Sequence, residues 1–203
     1  MNPRGTRSAR RVLGLLLLLA AGAWLYVAST ASPVEAYVAA PRPVCGGAPE
    51  DAATVAGGLL PAGATPLDGH LPGIANLDPA LLSALRAASR RAARDGVRIE
   101  VNSGWRSREQ QARLLCEAVA RYGSAAEAER WVAPADASLH VTGDAVDVGP
   151  APAASWLSVH GARFGLCRVY RNEPWHFELR TNAVEEGCPP LYRDAASDPR
   201  LEG

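Results

Sequence analysis

The chain has 203 residues, of which 48% are hydrophobic, and its 21 basic residues, all arginine, balance 21 acidic residues. This length and hydrophobic content predict one ordinary folded domain with its own core, plus a targeting segment. Because the charges balance, nothing indicates nucleic acid or an acidic polymer as a partner, and we predict no nucleic-acid binding.

The amino-terminal 28 residues have the pattern of an export segment. Four arginines between Arg4 and Arg11 precede an uncharged apolar run, 12–28. A basic flank followed by such a run is typical of a signal peptide or of a membrane anchor. We favour the anchor because Trp24 and Tyr26 lie near its far end. The domain is therefore predicted to be extracytoplasmic, either secreted or held at the membrane by this segment.

Residues 29–75 are rich in Pro, Gly and Ala without a sustained period. This composition predicts an irregular lead-in that contributes few residues to the core. All four cysteines lie beyond the export segment, as expected of a domain that folds where thiols oxidise. Two disulfides are predicted and three pairings are possible. We favour Cys116 with Cys167 and Cys45 with Cys188.

The remaining chain alternates helical and extended patterns. Asp78 as N-cap before Pro79 predicts a helix that ends near Gly96, and Ser107 opens a capping box for a second helix. Shorter predicted elements are strands at 97–101, 145–148, 166–170 and 175–179 and helices at 125–132 and 153–160. No regular β-α-β repeat exists, so the predicted class is α+β, with a small, mostly antiparallel sheet flanked by helices.

Two segments contain metal-ligand chemistry: S-L-H-V-T-G-D-A-V-D-V-G at 138–149 and E-P-W-H-F-E at 173–178. A catalytic zinc takes about three nitrogen or oxygen ligands from the protein and keeps one position open. His140, Asp147 and His176 supply such a set. The sequence therefore predicts a zinc site, although another divalent ion is compatible with the same ligands.

Two further residues complete a hydrolytic site. Glu173, three residues before His176, is the predicted general base and acid, since a carboxylate beside the attacking water can take and return its proton. Arg106, at the end of a predicted strand, is the predicted cation for the oxyanion or for a substrate carboxylate.

The segments S-G-W-R-S-R-E-Q-Q, S-L-H-V-T-G-D-A-V-D and E-P-W-H together resemble the zinc D-alanyl-D-alanine carboxypeptidases of the VanY type. That family belongs to a wider group with lysostaphin-like enzymes and the hedgehog signalling domain, and the resemblance spans about 78–179. It implies the metal ligands and the base named above, and it implies that Arg106 is the arginine of an S-G-Y-R-S motif with tryptophan in place of tyrosine.

The resemblance also implies supporting residues and a function. Ser138 and Gln111 match recurrent positions for substrate contact, Gln111 also for support of the arginine loop, and Trp175 is a candidate pocket wall. We predict a zinc peptidase domain at 76–190, followed by a tail at 191–203. The implied function is zinc-dependent removal of the terminal D-alanine from peptidoglycan stem peptides. A D,D-dipeptidase, a wall endopeptidase and a non-catalytic, zinc-containing wall-binding module remain alternatives.

Overall fold

The structure, a computed structural model, describes residues 53–201, which belong to one compact unit. The predicted export segment and Cys45 lie outside the described residues, so the export segment stays a prediction. Within the described part, no helix combines the length and the apolar character needed to cross a membrane.

Short helices and strands alternate along the described chain. In order, they are α1 (Pro72–Ala75), α2 (Pro79–Arg94), β1 (Glu100–Ser103), α3 (Arg108–Tyr122), α4 (Ala125–Ala128), α5 (Leu139–Thr142), β2 (Ala145–Gly149), α6 (Ala151–His160), β3 (Leu166–Arg168), β4 (His176–Leu179) and α7 (Ala183–Glu186). Two 3-10 turns, Gly161–Phe164 and Ala195–Ser197, complete the set.

The four strands form one antiparallel sheet in the order β1-β2-β4-β3. This confirms the predicted α+β class with a small antiparallel sheet. In the register, Asp147 on β2 lies opposite His176 on β4. Two predicted metal ligands are therefore neighbours on adjacent strands.

The helix boundaries follow from their caps. The Asp78 carboxylate accepts hydrogen bonds from the amides of Ala80 and Leu81, which opens α2. The Ser107 hydroxyl accepts from the Gln110 amide and opens α3, which ends at Gly123 in the left-handed region at φ 85°. Both predicted helix starts are confirmed.

The first strand differs from its prediction of 97–101. The Val97 amide donates to the Ala92 carbonyl at 2.9 Å, which closes the carboxyl end of α2. Pairing with β2 begins only at Glu100, opposite Gly149. The strand therefore starts three residues later than predicted, and Val97, the first residue assigned to it, belongs to the helix end.

The core lies between α2, α6 and one face of the sheet. Its fully buried side chains include Leu81, Leu85, Val146 and Phe177. Ile74 is the one buried residue of this cluster that comes from the described part of the lead-in, 53–75, which agrees with the expectation that this segment gives few core residues. Apolar side chains around the short α1 turn cover one end of the core.

The lead-in also holds the loop that follows β1. The Trp105 amide donates to the Gly73 carbonyl at 2.9 Å, and the Ser107 amide donates to the Gly57 carbonyl at 3.0 Å. A Cβ on Gly104 would lie 2.1 Å from the Gly73 carbonyl oxygen, so this close approach requires glycine.

The favoured pairing of the cysteines is wrong. Cys167 on β3 is bonded to Cys188, with their Cα atoms 5.5 Å apart. Both favoured pairings are excluded, because each used one of these two cysteines with another partner. Spacing along the chain did not show that the segment after β4 returns beside β3, where this bond is made.

Candidate active site

The three predicted metal ligands converge at one point. His140 comes from α5, Asp147 from β2 and His176 from the start of β4. Asp147 Oδ1 lies 3.5 Å from His140 Nε2 and 3.3 Å from His176 Nδ1. One ligand atom from each residue lies within 4.8 Å of the others, and all three residues are buried.

The two histidines present different nitrogens to this point because different partners hold their rings. His140 Nδ1 lies 2.8 Å from the Gly104 carbonyl oxygen, which can only accept, so this nitrogen donates and Nε2 is left as the ligand. His176 Nε2 lies 3.3 Å from Glu178 Oε1, which leaves Nδ1. Such partners set the ring orientation and tautomer of metal-binding histidines.

The polar atoms at this point fit a bound cation. Asp147 Oδ1 and His176 Nδ1 are buried and have no hydrogen-bond partner among the described residues. An unsatisfied buried polar atom costs about 1–3 kcal/mol, a cost that a coordinated metal would remove. Two imidazole nitrogens and one carboxylate oxygen form a ligand set that zinc takes in catalytic sites.

The electrostatics of the metal-free site favour a charged Asp147. Burial acts to raise the pKa of Asp147, but His140, His176 and Arg106 together hold it well below the usual range. Burial lowers the pKa of His140. For His176, burial also opposes protonation, but Asp147 and Glu178 outweigh it and raise the pKa to about 9. Zinc would compete with a proton on His176.

Glu173 lies beside the predicted ligands, and one of its carboxylate oxygens has no hydrogen-bond partner among the described residues. Its Oε2 lies 3.9 Å from His176 Nδ1, and its Oε1 is buried without a partner among the described residues. Burial is the main cause that raises the pKa of Glu173 to about 7. A carboxyl group with a pKa near 7 is suited to exchange protons at neutral pH.

Arg106 braces the ligand set. Its Nη2 donates to Asp147 Oδ2 at 2.7 Å, Nη1 to Gln111 Oε1 at 3.0 Å and Nε to Ser103 Oγ at 2.6 Å. Gln111 donates in turn to the Ala133 carbonyl at 2.7 Å. Asp147 therefore turns one oxygen to Arg106 and the other to the histidines.

A cleft of about 340 Å³ opens over these groups. Ser138, which is buried, and Trp175, which is exposed, both line it, as do the three ligands, Glu173 and Arg106. The predicted site residues are thus brought together. Gln111 also borders the cleft but is 1% exposed, so its main contact is with Arg106.

Sequence reasoning missed two residues for which a signal existed. Glu178 lies two residues after His176 on one strand, a spacing that puts both side chains on one face. Arg121 lies in the last turn of α3, seven residues after Leu114, which places them on one helix face, and both line the cleft.

Comparison with known proteins agrees with this geometry. The family model VanY, D-alanyl-D-alanine carboxypeptidase, matches residues 75–181, just over half of the chain. A D-alanyl-D-alanine carboxypeptidase of Enterococcus faecalis is 36% identical over a region covering 41% of this chain and 40% of that protein. The chain therefore matches well under two thirds of this relative's length.

Two solved structures are also similar. One is a mutant of the vancomycin resistance D,D-pentapeptidase VanY from a VanB-type resistance cassette, in complex with Zn(II), with 30% identity and a TM-score of 0.52 over 57% of this chain and 80% of that chain. The other is VanYB in complex with D-alanine-D-alanine, with 30% identity and a TM-score of 0.51 over 55% and 74%. The matched region contains every predicted site residue, and the chain belongs to the VanY D-alanyl-D-alanine carboxypeptidase family.

Proposed function

We propose that this chain is a zinc-dependent D-alanyl-D-alanine carboxypeptidase that removes the terminal D-alanine from peptidoglycan stem peptides. One observation carries the proposal: three buried ligand residues converge at one point, two of them with unpartnered atoms, and Glu173 lies beside that point in an open cleft. The Zn(II) and D-alanine-D-alanine complexes of two similar proteins support the choice of metal and substrate.

His140, Asp147 and His176 would hold the zinc ion. When bound, zinc supplies a Lewis acid for the scissile carbonyl and lowers the pKa of water. Glu173 takes the proton of the attacking water on its carboxylate and returns it to the leaving amine of D-alanine. Without a bound metal, burial raises the pKa of Glu173 to about 7, which supports a role in proton exchange near neutral pH.

The remaining predicted residues have distinct proposed roles. Arg106 holds Asp147 and adds positive charge beside the developing oxyanion, through the side chain that Gln111 and Ser103 keep in place. Ser138 and Trp175 contact the substrate from the cleft wall. Gln111 acts through Arg106, because its own side chain is buried.

We propose that this chemistry takes place outside the cytoplasm. The Cys167–Cys188 disulfide supports an oxidising compartment, as does a substrate that belongs to the cell wall. Attachment to the membrane through residues 1–28 stays a prediction from sequence.

The test is to identify the bond that is cut. The purified protein is incubated with a stem pentapeptide that ends in D-Ala-D-Ala, and the products are identified by mass spectrometry. We expect a tetrapeptide and one free D-alanine. Release of the dipeptide, or cleavage confined to cross-linked wall, would replace the proposal by a D,D-dipeptidase or an endopeptidase. Zinc binding without any cleavage would indicate a wall-binding module.

A further inference from the structure

The carboxylate that orients His176 is itself held from the C-terminal end of the described chain. Glu178 is 1% exposed. Arg200 Nη1 donates to Glu178 Oε2 at 2.8 Å, and Arg180 Nη2 donates to the same oxygen at 2.5 Å. Arg200 Nη2 also donates to Glu178 Oε1 at 3.4 Å, the oxygen that faces His176, so Arg200 contacts both oxygens of this carboxylate.

Arg200 is fixed by a ring of contacts that returns to the same histidine. Its Nε donates to Asp198 Oδ1 at 2.8 Å, and Asp198 Oδ2 accepts from the Tyr170 hydroxyl at 3.0 Å. The Tyr170 ring lies against the His176 ring, with centroids 4.9 Å apart. The contacts thus pass from His176 through Glu178, Arg200, Asp198 and Tyr170 back to His176.

The backbone of this segment is docked on the domain. The Tyr192 amide donates to the Val169 carbonyl and the Arg171 amide to the Tyr192 carbonyl, both at 3.0 Å. Ala195 is buried with Val169 and Tyr170 in a small apolar cluster of their own. Residues 192–200, which we call the C-terminal clasp, lie beyond the region that the family model matches.

We propose that the C-terminal clasp is part of the metal site and strengthens zinc binding, with Arg200 as a positioning residue that acts on His176 through Glu178. The proposal rests on the proposed function only for the identity of the ion. Loss of a group that orients a metal-binding histidine typically weakens metal affinity by about 10–100-fold. Because Arg180 remains on Glu178, we expect the lower end of that range for loss of Arg200.

The test measures zinc affinity of the full protein without substrate. Metal-free wild type, Arg200→Met and Arg200→Lys compete with a chromogenic chelator for zinc, and thermal unfolding of each metal-free form checks the fold. Arg193→Ala is the matched control, because Arg193 is in the same segment and pairs with the buried Asp194 but does not reach Glu178.

We expect Arg200→Met to bind zinc about tenfold more weakly, Arg200→Lys to recover part of that loss, and Arg193→Ala to equal wild type. A folded Arg200→Met protein with wild-type zinc affinity would overturn the proposal. If the Met variant does not fold, unchanged affinity in Arg200→Lys overturns it and weaker affinity supports it. A wild type that binds zinc but cleaves no peptide would contradict the proposed function alone.

A separate observation concerns Arg121 on the cleft wall. Its side chain is exposed and lines the cleft beside Tyr122 and Trp131, whose rings stack 5.7 Å apart. No carboxylate within 53–201 pairs with Arg121. Arg106, the other arginine of the cleft, has a protein partner on each of its three nitrogens. Arg121 is therefore the guanidinium of the cleft with open donors.

We infer that Arg121 binds a carboxylate of the peptide substrate, which rests on the proposed function. A guanidinium recognises a carboxylate through paired hydrogen bonds. A stem peptide offers this group at its terminal D-alanine and at the acidic residue upstream, and the experiment separates the two sources.

Wild type, Arg121→Gln and the control Arg90→Ala are assayed on three peptides: the pentapeptide, its C-terminal amide, and a pentapeptide with alanine for the acidic residue. Arg90 is exposed on α2 and does not line the cleft. We expect the kcat/KM of wild type to be about tenfold higher for the parent peptide than for one of the other two, because that peptide lacks a charged hydrogen bond. Arg121→Gln should lose this preference. An equal fall in kcat/KM on all three peptides, or no fall on any of them, would overturn the inference. Wild-type cleavage of the parent peptide tests the proposed function separately.

Discussion

The two histidines of the metal site are held in opposite ways. His140 is fixed by a neutral contact with the backbone, the Gly104 carbonyl, and the Arg106 amide donates back to the His140 carbonyl at 3.0 Å. His176 is fixed by the Glu178 carboxylate, which Arg180, just after β4, and Arg200 of the C-terminal clasp hold in place. The His140 side of the site therefore depends on loop geometry, and the His176 side depends on buried charge. Their responses to mutation and pH should therefore differ.

Asp147 joins both sides, so its loss should have the largest effect. Asp147→Ala removes a proposed zinc ligand and leaves the Arg106 guanidinium buried without its carboxylate. Breaking a buried pair by removing one partner costs about 3–5 kcal/mol. We expect no zinc binding, no peptide cleavage and a lower free energy of unfolding, measured by chelator competition, product release and denaturant melts.

Asp144→Ala is the control for that change, since Asp144 is exposed and lies just before the same strand. It should keep zinc binding and activity. Stoichiometric zinc in Asp147→Ala would show that the ligand assignment is wrong.

Glu173→Ala should separate catalysis from metal binding. Glu173 is the proposed base and is not one of the three ligands, so the variant should bind zinc as wild type does. Removal of a general base typically lowers the rate by about 10²–10⁴-fold. The measurement is kcat for D-alanine release at saturating zinc and peptide, and activity retained in this variant would contradict the role of Glu173.

The buried charges on the His176 side of the site should make zinc affinity depend on pH. Asp147 and Glu178 outweigh the effect of burial and raise the pKa of His176 to about 9 in the metal-free protein. Zinc has to displace that proton. Affinity should therefore rise about tenfold per pH unit through the neutral range and level off above 9. A flat profile between pH 7 and 9 would contradict this.

The raised pKa of His176 also makes the stability of the metal-free fold depend on pH. Stability should fall as the pH rises, whereas zinc affinity should increase. Because the folded pKa of His176 lies above its ordinary value of 6.5, protonated His176 stabilises the folded state. That contribution is complete below 6.5 and is lost as the pH rises through about 9. Denaturant melts of the metal-free protein across this range measure it.

The His140 side of the site should be sensitive to a substitution of Gly104. A Cβ there would lie 2.1 Å from the Gly73 carbonyl oxygen, so Gly104→Ala must move the loop that holds His140. We expect a stability loss of about 1–3 kcal/mol and a few-fold weaker zinc binding. Gly69→Ala, where a Cβ would meet only the end of the Arg86 side chain, should be nearly neutral. Equal stability of the two variants would show that the close packing of the loop at Gly104 does not matter for the fold or for His140.

The sequence predicted the parts of the site that short motifs encode. His140 and Asp147 share one motif and Glu173 and His176 another, and the strand pairing brings the two together. Contacts between distant segments were not predictable in this way. Arg200 reaches Glu178 across 22 residues, and the Cys167–Cys188 bond depends on the same return of the chain. The predicted start of β1 was three residues early, and Val97, the first residue assigned to it, belongs to the helix end.

We propose that the three ligands hold a zinc ion that Glu173 uses for hydrolysis. The decisive measurement is D-alanine release from a stem pentapeptide before chelation, after chelation, and after zinc is restored. We expect release to stop when the metal is removed and to return with stoichiometric zinc. Release that continues in the metal-free protein, or zinc-loaded protein that releases none, would contradict this proposal.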